Sequence, residues 1–338
     1  MIKSSFLEER VQQALELEVG EFRHFIVGFS GGSDSTSLLF MLTRLRKLFP
    51  IRLSALHINY ALRGKDSEED ETFATEFCKR WDVNLLIHRA KAIGSTSVQE
   101  KARQIRLDLS HKILLNAEWV EAHHADDQIE TFLFRLFRGT GLLGLRGMKK
   151  KDQREGRILW RPFLKVFKKD ILNYAEENHL TYRIDRSNLR TAYDRNWIRN
   201  ELIPLLLSRF PHFEDSIVRL CSQIQLEEDW KKEDLHAQEL RILLREAPPV
   251  LDRKNYRQCH SAWRHRFLHR LFHEAWQISL SRSKVLELDE LICKEVPFTW
   301  NAPHGMIVRS LEEKVEFDRG QKSLGKRLKG KERAKLFY

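Results

Sequence analysis

The chain has 338 residues, 42% of them apolar, and a net charge of +11. This is enough for two domains with their own cores, and no run approaches the ~18 apolar residues that span a bilayer. The charge sits in two blocks, net +8 over residues 146–169 and net +7 over 319–338, leaving the remainder net negative; such blocks suit a polyanion, nucleic acid first.

The first ten residues carry no apolar secretory core, so the expected compartment is the cytoplasm, with no membrane partner. Four cysteines, Cys78, Cys221, Cys259 and Cys293, stand far apart without a CxxC pair, which argues against structural zinc or an iron–sulfur cluster and for free thiols.

Along the chain, apolar runs at 24–29, 51–57, 83–88 and 118–122 read as strands, and helical patterns lie at 35–48, 66–81, 98–116 and 126–138. Alternation of this kind predicts an α/β fold with a doubly wound parallel sheet. Ligands of such sheets bind beyond the carboxyl ends of the strands, so the loops after residues 29, 57 and 122 are expected at one crevice. After Pro204 the pattern becomes long polar helices at 213–245, 260–277 and 282–294, with a short hairpin near 298–309. The expected organisation is a nucleotide-binding domain over 1–212, a smaller, mainly helical domain over 213–318 and a basic flexible tail over 319–338.

The loop after the first strand reads Ser30-Gly31-Gly32-Ser33-Asp34-Ser35. A glycine turn between strand and helix brings backbone N–H groups to an anion at the helix's positive end, and the serine hydroxyls add donors. Asp34 would repel phosphate unless a divalent cation lay between them, so Mg²⁺ with a nucleotide is implied, Asp34 being the metal contact. A Walker loop would need a Lys followed by Ser or Thr, absent here. The segment resembles the SGGxDS signature of the PP-loop ATP pyrophosphatases, which split ATP to AMP and pyrophosphate.

His57 ends the second strand, either as a hydrogen-bonded strand-end histidine or as a contact to adenosine. His123, His124, Asp126, Asp127 and Glu130 crowd the junction of the fourth strand and its helix. Helix capping, metal ligation and substrate handling all remain open for them. Residues 139–144 spell GxGxxG after a helix rather than a strand, so the dinucleotide reading fails; a turn offering N–H groups to phosphate and a plain flexible loop both remain. Arg103 and Arg106 share a helix face, and residues 185–199 interleave Arg with aromatics, a mixture suited to RNA.

Seven segments together, SGGSDS at 30–35, HINYALRG at 57–64, QEKARQIR at 99–106, HHADDQIET at 123–131, RLFRGTGLLGLRGM at 135–148, RPFL at 161–164 and DRSNLRTAYDRNWIRNELIP at 185–204, closely resemble the bacterial tRNA(Ile)-lysidine synthetase family in order and spacing. Tyr60 stands where that family often has His, and Lys101 where it often has Ala. The resemblance implies a PP-loop fold and an ATP-dependent ligase. Such an enzyme adenylates C2 of cytidine 34 in the CAU anticodon of tRNA(Ile) and joins free L-lysine to it, changing codon reading from AUG to AUA. It also implies ATP contacts from residues 30–35 and His57, and places Asp34, Arg103, Asp127 and Arg195 around activation. Arg138, Arg146, Lys149, Lys150 and Arg199 are expected on the tRNA. A homodimer is left open. The rivals are a PP-loop tRNA thiolation enzyme, a small-molecule amide synthetase and a noncatalytic RNA binder.

Overall fold

A computed structural model describes residues 5–17, 20–60, 64–90, 105, 117–154, 157–183, 194–246 and 248–319. The expected helix over 98–116 apart from residue 105, Arg103 and the tail beyond 319 lie outside these residues, as do residues 184–193. The chain forms two compact units, Met1–Leu226 and Glu227–Tyr338. The helix Phe213–Ile242 runs through that boundary, whereas the change in sequence pattern falls at 212/213.

In the first unit, β1 (Arg23–Gly28), β2 (Ile51–Asn59), β3 (Asn84–Arg89), β4 (Glu118–Val120), β5 (Lys151–Arg154) and β6 (Arg157–Trp160) make one sheet of order β3-β2-β1-β4-β6-β5. All neighbours are parallel except β5 against β6. Successive side chains of a strand point to opposite faces. Phe25 and Val27 accordingly join a large core with Leu38, Leu42 and Phe77 of the flanking helices, while Ile26 packs on the other face with Leu56 and Trp119. Apolar packing on both faces is the doubly wound arrangement expected from the sequence.

The four expected strands of this sheet are present. The β5–β6 hairpin is an addition, hidden in the sequence because five of its eight residues are charged or polar. One carboxylate ties the sheet together, linking the amino ends of β1 and β4 to the last residue of β6. Glu118 accepts from Arg23 Nε and Nη2, both at 2.5 Å, and from the indole N–H of Trp160.

The second unit is mainly helical, as expected, and carries more sheet than the one hairpin foreseen. Its helices Arg253–Gln258, Ser261–Trp276 and Arg282–Cys293 pack with a five-stranded antiparallel sheet of order β7-β8-β11-β10-β9. The strands are β7 (Leu243–Glu246), β8 (Pro249–Asp252), β9 (Thr299–Ala302), β10 (Met306–Leu311) and β11 (Lys314–Arg319). The expected hairpin is β9–β10, paired Val308 to Trp300. β7 and β8 flank Pro248, between the helices expected at 213–245 and 260–277, and β11 is interrupted by charge at every other position. Arg253, 2% exposed, donates to the carbonyls of Ile292, Leu291, Val296 and Glu312 and to Ser310 Oγ, locking helix ends to the sheet.

Replacing Glu118 by Leu removes the acceptor of Arg23 Nε and Nη2 and of the Trp160 N–H in a mostly buried position. Urea unfolding of the full chain is expected to show the first unit destabilised by about 3–5 kcal/mol, the cost of breaking a buried ion pair from one side.

Candidate active site

The order of the sheet reverses at β1, whose neighbours are β2 on one side and β4 on the other. The loops leaving the carboxyl ends of β1 and β4 therefore diverge around one crevice. From β1 comes the Ser30–Ser35 loop. Gly31 sits at φ +84°, where a side chain is strained, and a Cβ there would lie 3.1 Å from the Phe73 ring. Ser35 Oγ accepts from the Ser30 N–H at 3.2 Å and donates to the Gly32 carbonyl at 3.2 Å, closing the loop over the start of the helix Ser33–Leu45. Gly32 caps that helix without a side chain, so its first N–H groups are left for an anion.

From β4 comes the helix Ala125–Phe137, preceded by the buried His124. The two helix starts face each other: His124 Nε2 is 3.7 Å from Asp34 Oδ2 and 3.5 Å from Asp127 Oδ2, and its Nδ1 is 3.2 Å from Asp126 Oδ2. A third segment clamps them. The Lys168 N–H donates to Asp126 Oδ2 at 2.8 Å, and its ammonium donates to Asp34 Oδ1 at 2.6 Å and to Ser33 Oγ at 2.7 Å. Burial opposes the imidazolium of His124, but Asp126, Asp127 and Asp34 outweigh it and raise its pKa above the ordinary value. Burial likewise opposes the Asp126 carboxylate; the contacts from His124 and the Lys168 N–H prevail and hold its pKa low.

Asp127, Glu130 and Phe134 stand three and four residues apart on one stripe of their helix, and the segment Asp194–Leu202 covers it. Arg199 Nη2 donates to Asp127 Oδ1 at 3.3 Å and to Glu130 Oε2 at 3.0 Å, its Nε donating to the other Glu130 oxygen. Burial raises the Glu130 pKa, with Arg199 pulling it back. One turn earlier, exposed Arg195 lies 5.3 Å from the Phe134 ring centre, and Arg138 lies over the same ring at 5.2 Å.

Of the residues singled out from the sequence, Ser30, Gly31, Gly32, Ser33, Asp34, Ser35 and Asp127 meet at the crevice. His57 lies beside the loop, 3% exposed, its Nδ1 2.9 Å from the Phe29 carbonyl and its Nε2 buried without a partner among the described residues. Arg199, expected on RNA, has its guanidinium committed to Asp127 and Glu130. Lys150 pairs with Glu16 at 3.3 Å. Arg146 and Lys149 line a separate cavity. Sequence reading did not single out Lys168: it lay within a basic block, and nothing in a run of Lys and Arg marks the one that folds back onto Asp34. The three-residue step puts Asp127 and Glu130 on one helix face, but nothing local marks Arg199 as their partner.

The described residues hold no group of three or more His, Cys, Asp or Glu built for a metal ion. Magnesium does not require one, since one or two carboxylates and substrate phosphates suffice, and Asp34 at the start of its helix fits that donor set.

A helix start with free N–H groups behind a strand–glycine turn defines a phosphate-binding α/β protein, and the chain belongs to the PP-loop domain family, whose model matches residues 4–206. Its relatives include the tRNA(Ile)-lysidine synthase of Proteus mirabilis, 34% identical over 281 residues that make up 81% of this chain and 62% of that protein. Those of Clostridium tetani (39% identical, 55% and 41% covered) and Chlorobaculum tepidum (34%, 62% and 64%) are similar. The chain thus spans less than two thirds of the length of these relatives, from 41% to 64%. The U34-tRNA thiolase NcsA of Methanococcus maripaludis, solved with its [4Fe-4S] cluster, shares the fold (TM-score 0.53, 18% identity, 64% of this chain and 77% of that chain). No helix among the described residues is long and apolar enough to cross a membrane.

Because the folded-state pKa of His124 is raised above 6.5, its charge stabilises the protein fully below that pH. That contribution is lost as pH rises through the raised value. His124→Gln is expected to destabilise more at about pH 6 than at about pH 9, read from urea midpoints of both proteins at each pH.

Proposed function

We propose that the chain is an ATP-dependent RNA-modifying ligase of the tRNA(Ile)-lysidine synthase type. It would adenylate C2 of cytidine 34 in a CAU anticodon, releasing pyrophosphate, and free L-lysine would then displace AMP. The observation that carries this reading is the meeting of the Ser30–Ser35 loop with the His124–Asp127 segment at one crevice, in a chain whose relatives bear that name.

The local charge supports a divalent cation. Asp34, Asp126 and Asp127 outnumber Lys168 and the imidazolium of His124, so a polyphosphate entering alone would meet net negative charge. Mg²⁺ bound by Asp34 and the phosphates would supply charge neutralisation at the departing pyrophosphate. The chain's own contributions are fixed dipoles and charges. The first N–H groups of the helix Ser33–Leu45 and the Ser33 hydroxyl face the phosphates. The Lys168 ammonium stands where negative charge grows as pyrophosphate leaves. Asp127 receives hydrogen bonds from the His124 N–H at 3.0 Å and from Arg199, which fixes its oxygens as acceptors and suits it to orient the acceptor substrate. Arg195 and Arg138, stacked over Phe134, extend a cationic, aromatic stripe from Asp127 outward, suited to an unstacked base and its phosphates. Arg103 belongs to this reading on sequence grounds alone, and so does tRNA binding by the second unit. An enzyme of this kind works in the cytoplasm, where tRNA is.

The cysteines speak against thiolation as the rival. Burial pushes the Cys78 thiol up to about 12 and Cys221 to about 11, so neither is a reactive thiolate, and Cys259 and Cys293 belong to the other unit.

The test is incorporation of labelled lysine into tRNA(Ile) bearing CAU, with ATP and Mg²⁺. The wild-type chain should incorporate lysine, and Asp34→Ala and Lys168→Met should each lower kcat by about 10²–10³-fold, with Lys168→Arg recovering part of the loss. No lysine incorporation by the wild type would overturn the reading, and thiolated tRNA would establish the rival.

A further inference from the structure

Between the segment Gly141–Lys149 and the β5–β6 hairpin lies a cavity of about 350 Å³ to which the Ser30–Ser35 loop contributes nothing. Its lining includes the cations Arg135, Arg146, Lys149 and Arg161, the carboxylate Asp152 and the half-exposed Leu143. Arg161 also pairs with Glu121 at 3.3 Å, yet the four cations still outnumber Asp152 and Glu121, and a net positive concave site focuses the potential in favour of an anion.

The walls are built rather than incidental. Buried Gln128 holds the Met148 N–H at 2.7 Å and its carbonyl at 3.1 Å, and Gln225 Nε2 donates to the carbonyls of Arg146 and Met148, both at 2.7 Å. Arg135 donates to the carbonyl of Gly144 at 2.8 Å and Arg161 to that of Lys149 at 3.1 Å, placing two fixed charges behind the loop. Gly147 lies at φ +68°, and a Cβ there would come within 2.6 Å of three Gln128 side-chain atoms, so the tight turn under the cavity needs glycine. Arg146 and Lys149 emerge half-exposed from this rigid base. Beside them Leu142 and Leu143 are 49% and 51% exposed, and Phe137 60%, apolar surface of the kind on which bases rest.

We propose that this cavity is a phosphodiester subsite for the RNA substrate, in which Arg146 and Lys149 bind a backbone phosphate and Arg135 and Arg161 supply the charge behind them. The inference rests on the reading of the chain as an RNA-modifying enzyme. It adds a position and a purpose. Gln128, which pins the cavity loop, follows Asp127 directly on the same helix, so a phosphate held here fixes the distance from the RNA backbone to the crevice.

The experiment measures binding of the full chain to a tRNA(Ile) transcript against salt concentration, and binding of ATP separately, for the wild type and for Arg146→Gln, Lys149→Gln and the double variant. Each substitution is expected to reduce the slope of log affinity against log salt by about 1, the double by about 2, with RNA affinity down about 10–100-fold and ATP affinity unchanged. Arg146→Lys should restore the slope, which separates lost charge from a disturbed fold. An unchanged slope in the double variant, with the wild type binding RNA, would overturn the subsite alone. Loss of ATP affinity with an unchanged RNA slope would reassign the cavity to nucleotide phosphates and overturn it too. A wild-type chain that does not bind the tRNA would overturn the RNA reading itself, and the subsite with it.

Discussion

The position of β1 between β2 and β4 is the constraint from which the site follows. Parallel strands joined by right-handed crossovers send successive helices to one face or the other, and only where the strand order reverses do two neighbouring loops part instead of covering each other. In this chain those are the loops after Gly28 and Val120. Register then sets the rest: Val27 pairs with Val120 and Ala55, so the glycine turn, the end of β2 with His57 and the His124 segment leave the sheet at one level. The Glu118 carboxylate, binding Arg23 at the start of β1 and Trp160 at the end of β6, holds that level by fixing β1, β4 and β6 together.

Two helix starts brought together in this way create an electrostatic problem as well as an opportunity. The helix Ser33–Leu45 leaves its first N–H groups uncapped, whereas the start of Ala125–Phe137 is closed by Val166 and His124; both starts favour anions, and each carries its own carboxylates, Asp34 on one and Asp126 and Asp127 on the other. The fold resolves the crowding with one imidazole and one ammonium. His124 is surrounded by all three carboxylates, and Lys168 reaches Asp34 with its side chain and Asp126 with its backbone. What is left is a rigid, nearly balanced constellation that holds its charges in place before a phosphate arrives, which is the condition for stabilising charge that develops during reaction.

The same helix that starts at this constellation carries outward a stripe of function. Asp127, Glu130 and Phe134 meet Arg199 and Arg195, and Arg138 closes over the far side of the ring. Gln128, on a different face, pins the turn beneath the second basic cavity. A single element thus sets the spacing between the phosphate loop, the arginine-lined stripe and the cavity, because an α-helix is stiff over such lengths and its faces are fixed by its period.

The sequence by itself determined the parallel sheet, the glycine loop after β1 and the crowd of ionisable groups after β4, because strand periodicity, glycine and carboxylates at helix starts are local signals. Residues 139–144 were equally visible as a turn after a helix and not a dinucleotide site. Only the tertiary structure decided which charges meet. Arg199 and Lys168 were two among many cations; one pairs with Glu130 and the other with Asp34, and contacts across 69 and 134 residues leave no trace in local pattern. The β5–β6 hairpin and the sheet of the second unit were hidden for a related reason. Strands of only four residues are too short to show a period and gain their stability from partners supplied elsewhere in the chain, so β8 finds β11 and β6 finds β4 only once the fold has assembled around them.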